Sequence, residues 1–234
     1  MFLKPDFRLT RRLPYHLICA VLLFFAVSQA AVADELAVWN FNDSDLNIDH
    51  GSGTLTSNLN VANILFAAGT TNNARLGDTA GQALSLQGGT SNANNGRNLT
   101  FNVSTLGFSN IIVSFATQGT STGFNSNQFQ YSLDGINFID FGSPYTPATA
   151  FGSLPLVFSL VSIAELNNNP NAAFRIVFNG ATSATGNNRI DNIVVEGTST
   201  ATATIPEPTS ALLLLTGIGS LYKMKRRRDR HKRH

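Results

Sequence analysis

Cysteine is almost absent. The single thiol among 234 residues, Cys19, lies in an apolar stretch near the N-terminus and follows Ile18, not the small residue that lipid attachment requires. The chain downstream therefore has no disulfide, no cysteine nucleophile and no thiolate metal site. Histidine is nearly as scarce, with His50 the only one between residues 34 and 204. One histidine cannot be the hub of a metal cluster, and no G-x-S-x-G elbow or S-x-x-K pair accompanies it. In its Asp/Gly-rich loop it reads as a surface residue. Tryptophan occurs once, as Trp39, and charged residues make up only 13% of the chain.

The formal charge of +2 hides a division. Lys4, Arg8, Arg11 and Arg12 precede an apolar run, Leu17 to Val27, and then Ala31-Val32-Ala33. Positive n-region, apolar h-region and A-x-A site form a secretory signal peptide over residues 1–33, with Ser28-Gln29-Ala30 as a second cut site. Such a segment is too short for a membrane span, the alternative reading. Eight more basic residues crowd the other end. Between the ends only Arg75, Arg97, Arg175 and Arg189 face twelve acidic residues, so the exported part carries −8. That sign disfavours nucleic acid and anionic lipid as partners and leaves divalent cations plausible.

The C-terminal residues 205–234 read IPEPTSALLLLTGIGSLYKMKRRRDRHKRH. Pro206 and Pro208 hold Glu207 on a stiff extended peptide. Ala211 to Tyr222 would make a helix of about 18 Å, short of a ~30 Å hydrocarbon core. Lys223, Lys225, Arg226, Arg227 and Arg228 follow at once, and by the positive-inside rule that end stays cytoplasmic. An ordinary short anchor with a Pro-Glu-Pro hinge is one reading. The stretch closely resembles the PEP-CTERM sorting signal of Gram-negative bacteria that make extracellular polysaccharide. Pro206, Glu207 and Pro208 match its motif, Ala211 to Tyr222 its short transmembrane helix, and Lys223 to Arg233 its basic tail. The resemblance implies an exosortase, a membrane-embedded cysteine transpeptidase, as processing partner beside signal peptidase. It also implies an inner-membrane intermediate and a destination at the cell surface or in the extracellular matrix.

Residues 34–197 have the texture of an all-β domain: abundant Phe, Val, Ile, Thr, Ser, Gly and Asn, with almost no Lys or Glu. Period-two alternation predicts nine strands: Leu36 to Phe41, Ala83 to Gln87, Asn98 to Val103, Ile111 to Ala116, Gln128 to Leu133, Ile136 to Phe141, Pro155 to Val161, Ala173 to Asn179 and Ile190 to Glu196. Asp134-Gly135 predicts a type I′ hairpin turn. Ser162 and Glu165 have capping-box spacing and predict one short helix, ended by Asn167-Asn168-Asn169-Pro170. The expected fold is an antiparallel β-sandwich, a jelly roll, with a Phe-rich core that includes Trp39. Thr198 to Thr204 reads as a small-residue linker.

Val38-Trp39-Asn40-Phe41-Asn42-Asp43 and Asn188-Arg189-Ile190-Asp191-Asn192-Ile193-Val194-Val195 resemble the first and last strands of lectin-like and MAM-like jelly rolls. Tyr131-Ser132-Leu133-Asp134-Gly135-Ile136-Asn137-Phe138 resembles a hairpin of discoidin and carbohydrate-binding sandwiches. The likeness implies glycan contact, with Tyr131, Tyr145 and the many Asn side chains as candidates, and exopolysaccharide as the partner. Asp43, Asp45 and Asp191 would form a structural calcium site if the first and last strands are neighbours. Alternatively, Asp191 only hydrogen-bonds backbone at a sheet edge, with Arg189 as its partner. No catalytic constellation is present, so the expected function is non-enzymatic. A glycan- or ester-hydrolysing enzyme on the same scaffold is the competing class, since paired carboxylates are recognised only in three dimensions. Intact-mass spectrometry of the exported protein should show loss of the signal peptide and of everything from Tyr222 onward. A surface form that retains the arginine tail would refute the processing.

Overall fold

A computed structural model describes residues 33–201. The expected signal-peptide helix, the Pro206–Glu207–Pro208 triplet, the short transmembrane helix and the basic residues Lys223 to Arg233 lie outside the described residues. Among the described residues no helix is long and apolar enough to cross a membrane.

The strands are β1 (Ala33–Trp39), β2 (His50–Gly51), β3 (Thr54–Ser57), β4 (Ile64–Ala68), β5 (Gln82–Gln87), β6 (Arg97–Asn102), β7 (Phe108–Gly119), β8 (Gln128–Ser132), β9 (Phe138–Asp140), β10 (Leu156–Ser159), β11 (Ala173–Phe178) and β12 (Asn187–Ser199). They make an antiparallel sandwich of a seven-stranded and a five-stranded sheet. All nine predicted strands are present. The short β2, β3 and β4 are additional; β4 carries no clean polar–apolar alternation, since Ile64-Leu65-Phe66-Ala67-Ala68 is apolar throughout.

β12 is the spine of the larger sheet. It runs along β7 on one side; on the other, Asn187–Ile190 pair with β5 and Ile193–Thr198 pair with β1. The hand-over coincides with a bulge between Asp191 and Val194, where Asn192 takes φ 49°. A bulge inserts one residue and reverses the alternation. Upstream of it Ile190 faces the core, and downstream of it Ile193 and Val195 do. Unbroken period-two geometry would have put Asp191 on the same face as Ile193 and Val195. The bulge instead turns the carboxylate outward while the hydrophobic residues on both sides stay inside. Asn110 on β7, at φ 56°, marks a second shift, between Glu196 and Thr198.

The core between the sheets is built on phenylalanine. Phe129 of β8 stacks on Phe158 of β10 at 4.0 Å between centroids, and lies 6.4 Å from Phe174 and 6.3 Å from Phe141. Phe101 links that group to Trp39, which is fully buried as expected. These rings span both sheets, so the sandwich closes through aromatic contacts in place of cross-links.

Three local expectations need correction. The helix predicted from Ser162 and Glu165 is a single 3₁₀ turn, Ala164–Leu166, with Ile163 at its N-cap and no side-chain cap. The Asp134-Gly135 hairpin is not type I′. Gly135 has φ 74°, but Asp134 does not share the left-handed conformation, and residues 133–137 form a wider loop. Asp134 closes it by accepting from the Asn137 and Ile136 backbone N–H groups, from Asn137 Nδ2 and from Ser132 Oγ. Those donors, the Asn137 backbone foremost, hold its carboxyl well below the usual carboxylate range. The third correction concerns the linker. Thr198 and Ser199 belong to β12, and the Thr200 N–H donates to the Gly107 carbonyl at 2.8 Å.

Ala33 pairs with Thr198, so the two ends of the domain leave side by side. Replacing Phe129 with alanine removes the ring at the centre of the stack and should cost about 3–5 kcal/mol. Denaturant unfolding, with an unchanged m-value, checks this.

Candidate functional surface

The two outer faces of the sandwich differ. Across the seven-stranded sheet lies the 69–75 segment, latched by side chains. Asp191 Oδ2 accepts from the Thr70 N–H at 2.7 Å, and Asn192 Nδ2 donates to the Thr70 and Asn72 carbonyls at 2.8 and 2.9 Å. Asn73 Nδ2 donates to the Asn192 carbonyl and to Ser114 Oγ. Arg75 pairs with Glu35 at 3.1 Å and Glu196 at 3.4 Å. Those two carboxylates stand directly opposite each other on β1 and β12, and the guanidinium offsets their repulsion.

The outer face of the five-stranded sheet carries polar side chains in rows. Strand order β3-β6-β11-β8-β9 and its register align Thr56, Thr100, Arg175, Gln130 and Asp140 across the sheet. A parallel row holds Thr54, Asn102, Ala173, Ser132 and Phe138. Arg175 Nε donates to Gln130 Oε1 at 2.8 Å, and Gln130 Nε2 donates to Asp140 Oδ1 at 2.7 Å. The Arg175 guanidinium also lies 3.7 Å over the Phe138 ring. Burial lowers its pKa and Asp140 opposes that shift. The result is a chain of planar groups fixed by their own hydrogen bonds, with edges left for a ligand.

At the Asn102 end this face runs into a cleft of about 400 Å³, with Thr54, Asn102, Ser104, Asp134 and Asn171 on its wall. Thr54 and Asn102 belong to both features. Hydroxyls, amides and one firmly ionised carboxylate make the cleft a hydrogen-bonding surface of mixed donors and acceptors.

The chain is similar in fold to solved carbohydrate-binding modules and to a domain of an arabinanase. One is the CBM22-1 xylan-binding domain of Paenibacillus barcinonensis Xyn10C, at 12% identity over 74% of this chain and 100% of that one, TM-score 0.43. Another is domain 4 of the arabinanase AbnA of Geobacillus stearothermophilus in complex with arabinotriose, at 15% identity, 71% and 94% coverage, TM-score 0.40. A third is TmCBM61 in complex with β-1,4-galactotriose, at 13% identity, 67% and 92% coverage, TM-score 0.39. No protein-family model and no curated protein sequence matches the chain. Likenesses of this order carry no residue correspondence, so the surface is read from its own geometry.

The residues singled out in the sequence fare differently. The first and last strands are neighbours as expected, yet Asp43, Asp45 and Asp191 do not form one shell. Asp191 is buried, with Oδ2 engaged by Thr70 and Oδ1 by the Asn192 N–H. Asp45 closes a turn on Asn47. Asp43 lies near Asp49, as does Asp78, whose Oδ2 accepts from Asn40 Nδ2. Among the described residues no three His, Cys, Asp or Glu side chains are grouped to hold a metal ion. Asp191 bonds backbone, as in the alternative reading, but at a bulge and without Arg189, whose Nη1 donates to the Ala68 carbonyl instead. His50 lies on β2, half-buried. The aromatic candidates do not reach the polar face. The Tyr145 hydroxyl is buried and its pKa is pushed up by desolvation. Tyr131 packs against the core beside Phe141. Arg175, Gln130, Asp140 and Phe138 were missed. Their signal was present in the alternation of β8 and β11, which turns Gln130 and Arg175 away from Phe129 and Phe174.

Burial raises the Asp191 pKa from 3.8 to about 7, against the lowering pull of the Thr70 and Asn192 N–H groups. The folded chain then holds a proton that the unfolded chain has released, so stability should fall as pH rises from about 4 to about 7. Asp49, also raised by burial, acts in the same direction. Asp191→Asn should flatten that slope, removing a fall on the order of a few kcal/mol, read from denaturant midpoints across the window. An unchanged slope would assign it elsewhere.

Proposed function

We propose that this is an exported, non-enzymatic surface or matrix protein whose five-stranded face binds a polysaccharide. Delivery is by a signal peptide and a PEP-CTERM-type signal cut by an exosortase, with Pro206, Glu207 and Pro208 as the recognised triplet. The destination is the cell surface or extracellular matrix of a Gram-negative bacterium, with exopolysaccharide as the partner.

The observation that carries the binding reading is the open row Thr56–Thr100–Arg175–Gln130–Asp140. A sugar chain offers hydroxyls that donate and accept at close spacing. Guanidinium, amide, carboxylate and hydroxyl groups aligned in one cross-strand row offer both roles, and the hydrogen bonds that already fix Arg175, Gln130 and Asp140 lower the ordering penalty on binding. Aromatic stacking contributes little here, because Trp39 and Tyr145 are taken up by the interior and Arg175 covers Phe138. The reading therefore rests on polar recognition and on a domain charge that turns nucleic acid away. Side-by-side departure of the two ends supports delivery from one end of the sandwich, with the polar face free along its flank.

Isothermal titration with exopolysaccharide and with a panel of neutral oligosaccharides tests the proposal. Arg175→Ala and Gln130→Ala should each weaken binding roughly tenfold, about 1.4 kcal/mol, with far-UV circular dichroism unchanged. Absence of binding, or binding indifferent to both substitutions, would overturn it. Turnover of any member of the panel, abolished by a single Asp substitution, would move the protein to the enzyme class.

A further inference from the structure

One end of the sandwich interior contains polar side chains that nothing in the protein satisfies. Asn127 and Asn188 are fully buried, and neither Oδ1 nor Nδ2 of either residue has a hydrogen-bond partner within the protein. The buried Tyr145 hydroxyl is also unpaired. Buried amides and phenols are normally satisfied, because an unpaired group has given up its bonds to water for nothing.

One short strap, residues 145–148, runs from the first of these asparagines to the neighbourhood of the second. Tyr145 exchanges both backbone hydrogen bonds with Asn127, at 2.8 and 2.9 Å, which puts their side chains next to each other on one face. Three residues on, the Ala148 carbonyl accepts from the Gly119 N–H at 2.7 Å. Gly119 is the cross-strand partner of Asn188. A β-carbon on Gly119 would stand 2.9 Å from Asn188 Oδ1 and 3.3 Å from Pro147 Cβ, so the glycine leaves the space that the amide and the strap share. Alternation points both amides inward, since Asn127 shares a face of β8's approach with Phe129, and Asn188 shares a face of β12 with Ile190. The two sheets thus present one amide each, and the strap supplies the phenol.

We propose that the 145–148 strap encloses a hydration site in which at least one ordered water bridges Asn127, Asn188 and the Tyr145 hydroxyl. The chemistry selects water over an ion. Both amides offer a donor and an acceptor, the hydroxyl offers either, and the Tyr145 hydroxyl is perturbed by burial alone, with no neighbouring charge. A water with two donors and two acceptors satisfies such a mixed set, and internal waters typically make about three bonds. A metal ion would use the oxygens and leave both amide nitrogens facing it.

Two measurements on the exported protein decide the matter. A crystal structure should show a solvent peak within about 3.2 Å of polar atoms from both asparagines. Oxygen-17 magnetic relaxation dispersion should count a long-lived water that disappears in the near-isosteric Asn127→Leu/Asn188→Leu double variant. Direct amide-to-amide bonding with no peak between the two, or an undiminished amplitude in the folded variant, overturns the proposal. If the double variant does not fold, Tyr145→Phe removes only the hydroxyl and should shorten the residence time of that water about threefold or more. An unchanged residence time there overturns it equally.

Discussion

The structure depends on how β12 changes partners without exposing its hydrophobic side. A thirteen-residue strand must serve β5 at one end and β1 at the other, always beside β7. The bulge at Asp191–Asn192 makes that possible. It reverses the side-chain phase where the neighbour changes, keeping Ile190, Ile193 and Val195 in the core. It also leaves two consecutive polar side chains on the outside of the sheet, and both bind the 69–75 segment. Bulge, hand-over and latch are one device, because the left-handed Asn192 that breaks the ladder also donates the two bonds that hold Thr70 and Asn72.

Asparagine does in this domain what disulfides do in many secreted ones. Asn94 ties its side chain to the Gln87 carbonyl and the Asn60 N–H, Asn95 to both backbone groups of Ala181, and Asn169 to Leu133, Glu165 and Asn171. Asn73, Asn92, Asn110, Asn168 and Asn192 also occupy left-handed conformations that other side chains resist. A short amide can therefore both allow an irregular loop and fasten it. A chain with no cysteine after Cys19 gains tied loops by this route with no dependence on redox conditions. The abundance of Asn beside Ser and Thr, in triplets such as Asn98-Leu99-Thr100, has a structural cause. Asn98, the first residue of one such triplet, accepts from Thr100 Oγ1 of the same triplet.

Much of the fold was legible because period-two alternation is strong where strands are half-buried. β6, β8 and β11 show it plainly, and their registers follow. Legibility failed where local pattern and tertiary demand diverge. β12 reads as a regular strand, but no single-sequence pattern marks where an inserted residue reverses its phase. Asp134-Gly135 carries a type I′ signature, yet the Asp side chain found four local donors and made a wider loop. Ser162 and Glu165 had the spacing of a cap, but three residues of helix could not outlast the asparagines behind them. The three carboxylates suggested for calcium are not grouped, for a similar reason. Neighbouring strands place backbones side by side, whereas coordination depends on which face each side chain takes, and that is what the bulge decides.

The same contrast separates the two outer faces. A sandwich has two outer faces, and ligand can reach only one that its own loops leave open. The seven-stranded face is closed by the 69–75 segment, and the groups that close it, Asp191, Asn192, Asn73 and Arg75, satisfy one another. On the five-stranded face Arg175, Gln130 and Asp140 bond to one another along the row and Thr100 bonds to Asn98 beside it, while all five side chains of the row stay exposed or half-exposed. That difference explains why aromatic count alone misdirects here. The rings went to the interior, where they replace cross-links, and the outer face was left to polar groups whose spacing is set by the strand separation of about 4.8 Å. The proposed polymer ligand would meet such a surface at several points at once, and each added contact would strengthen binding without demanding a deep pocket.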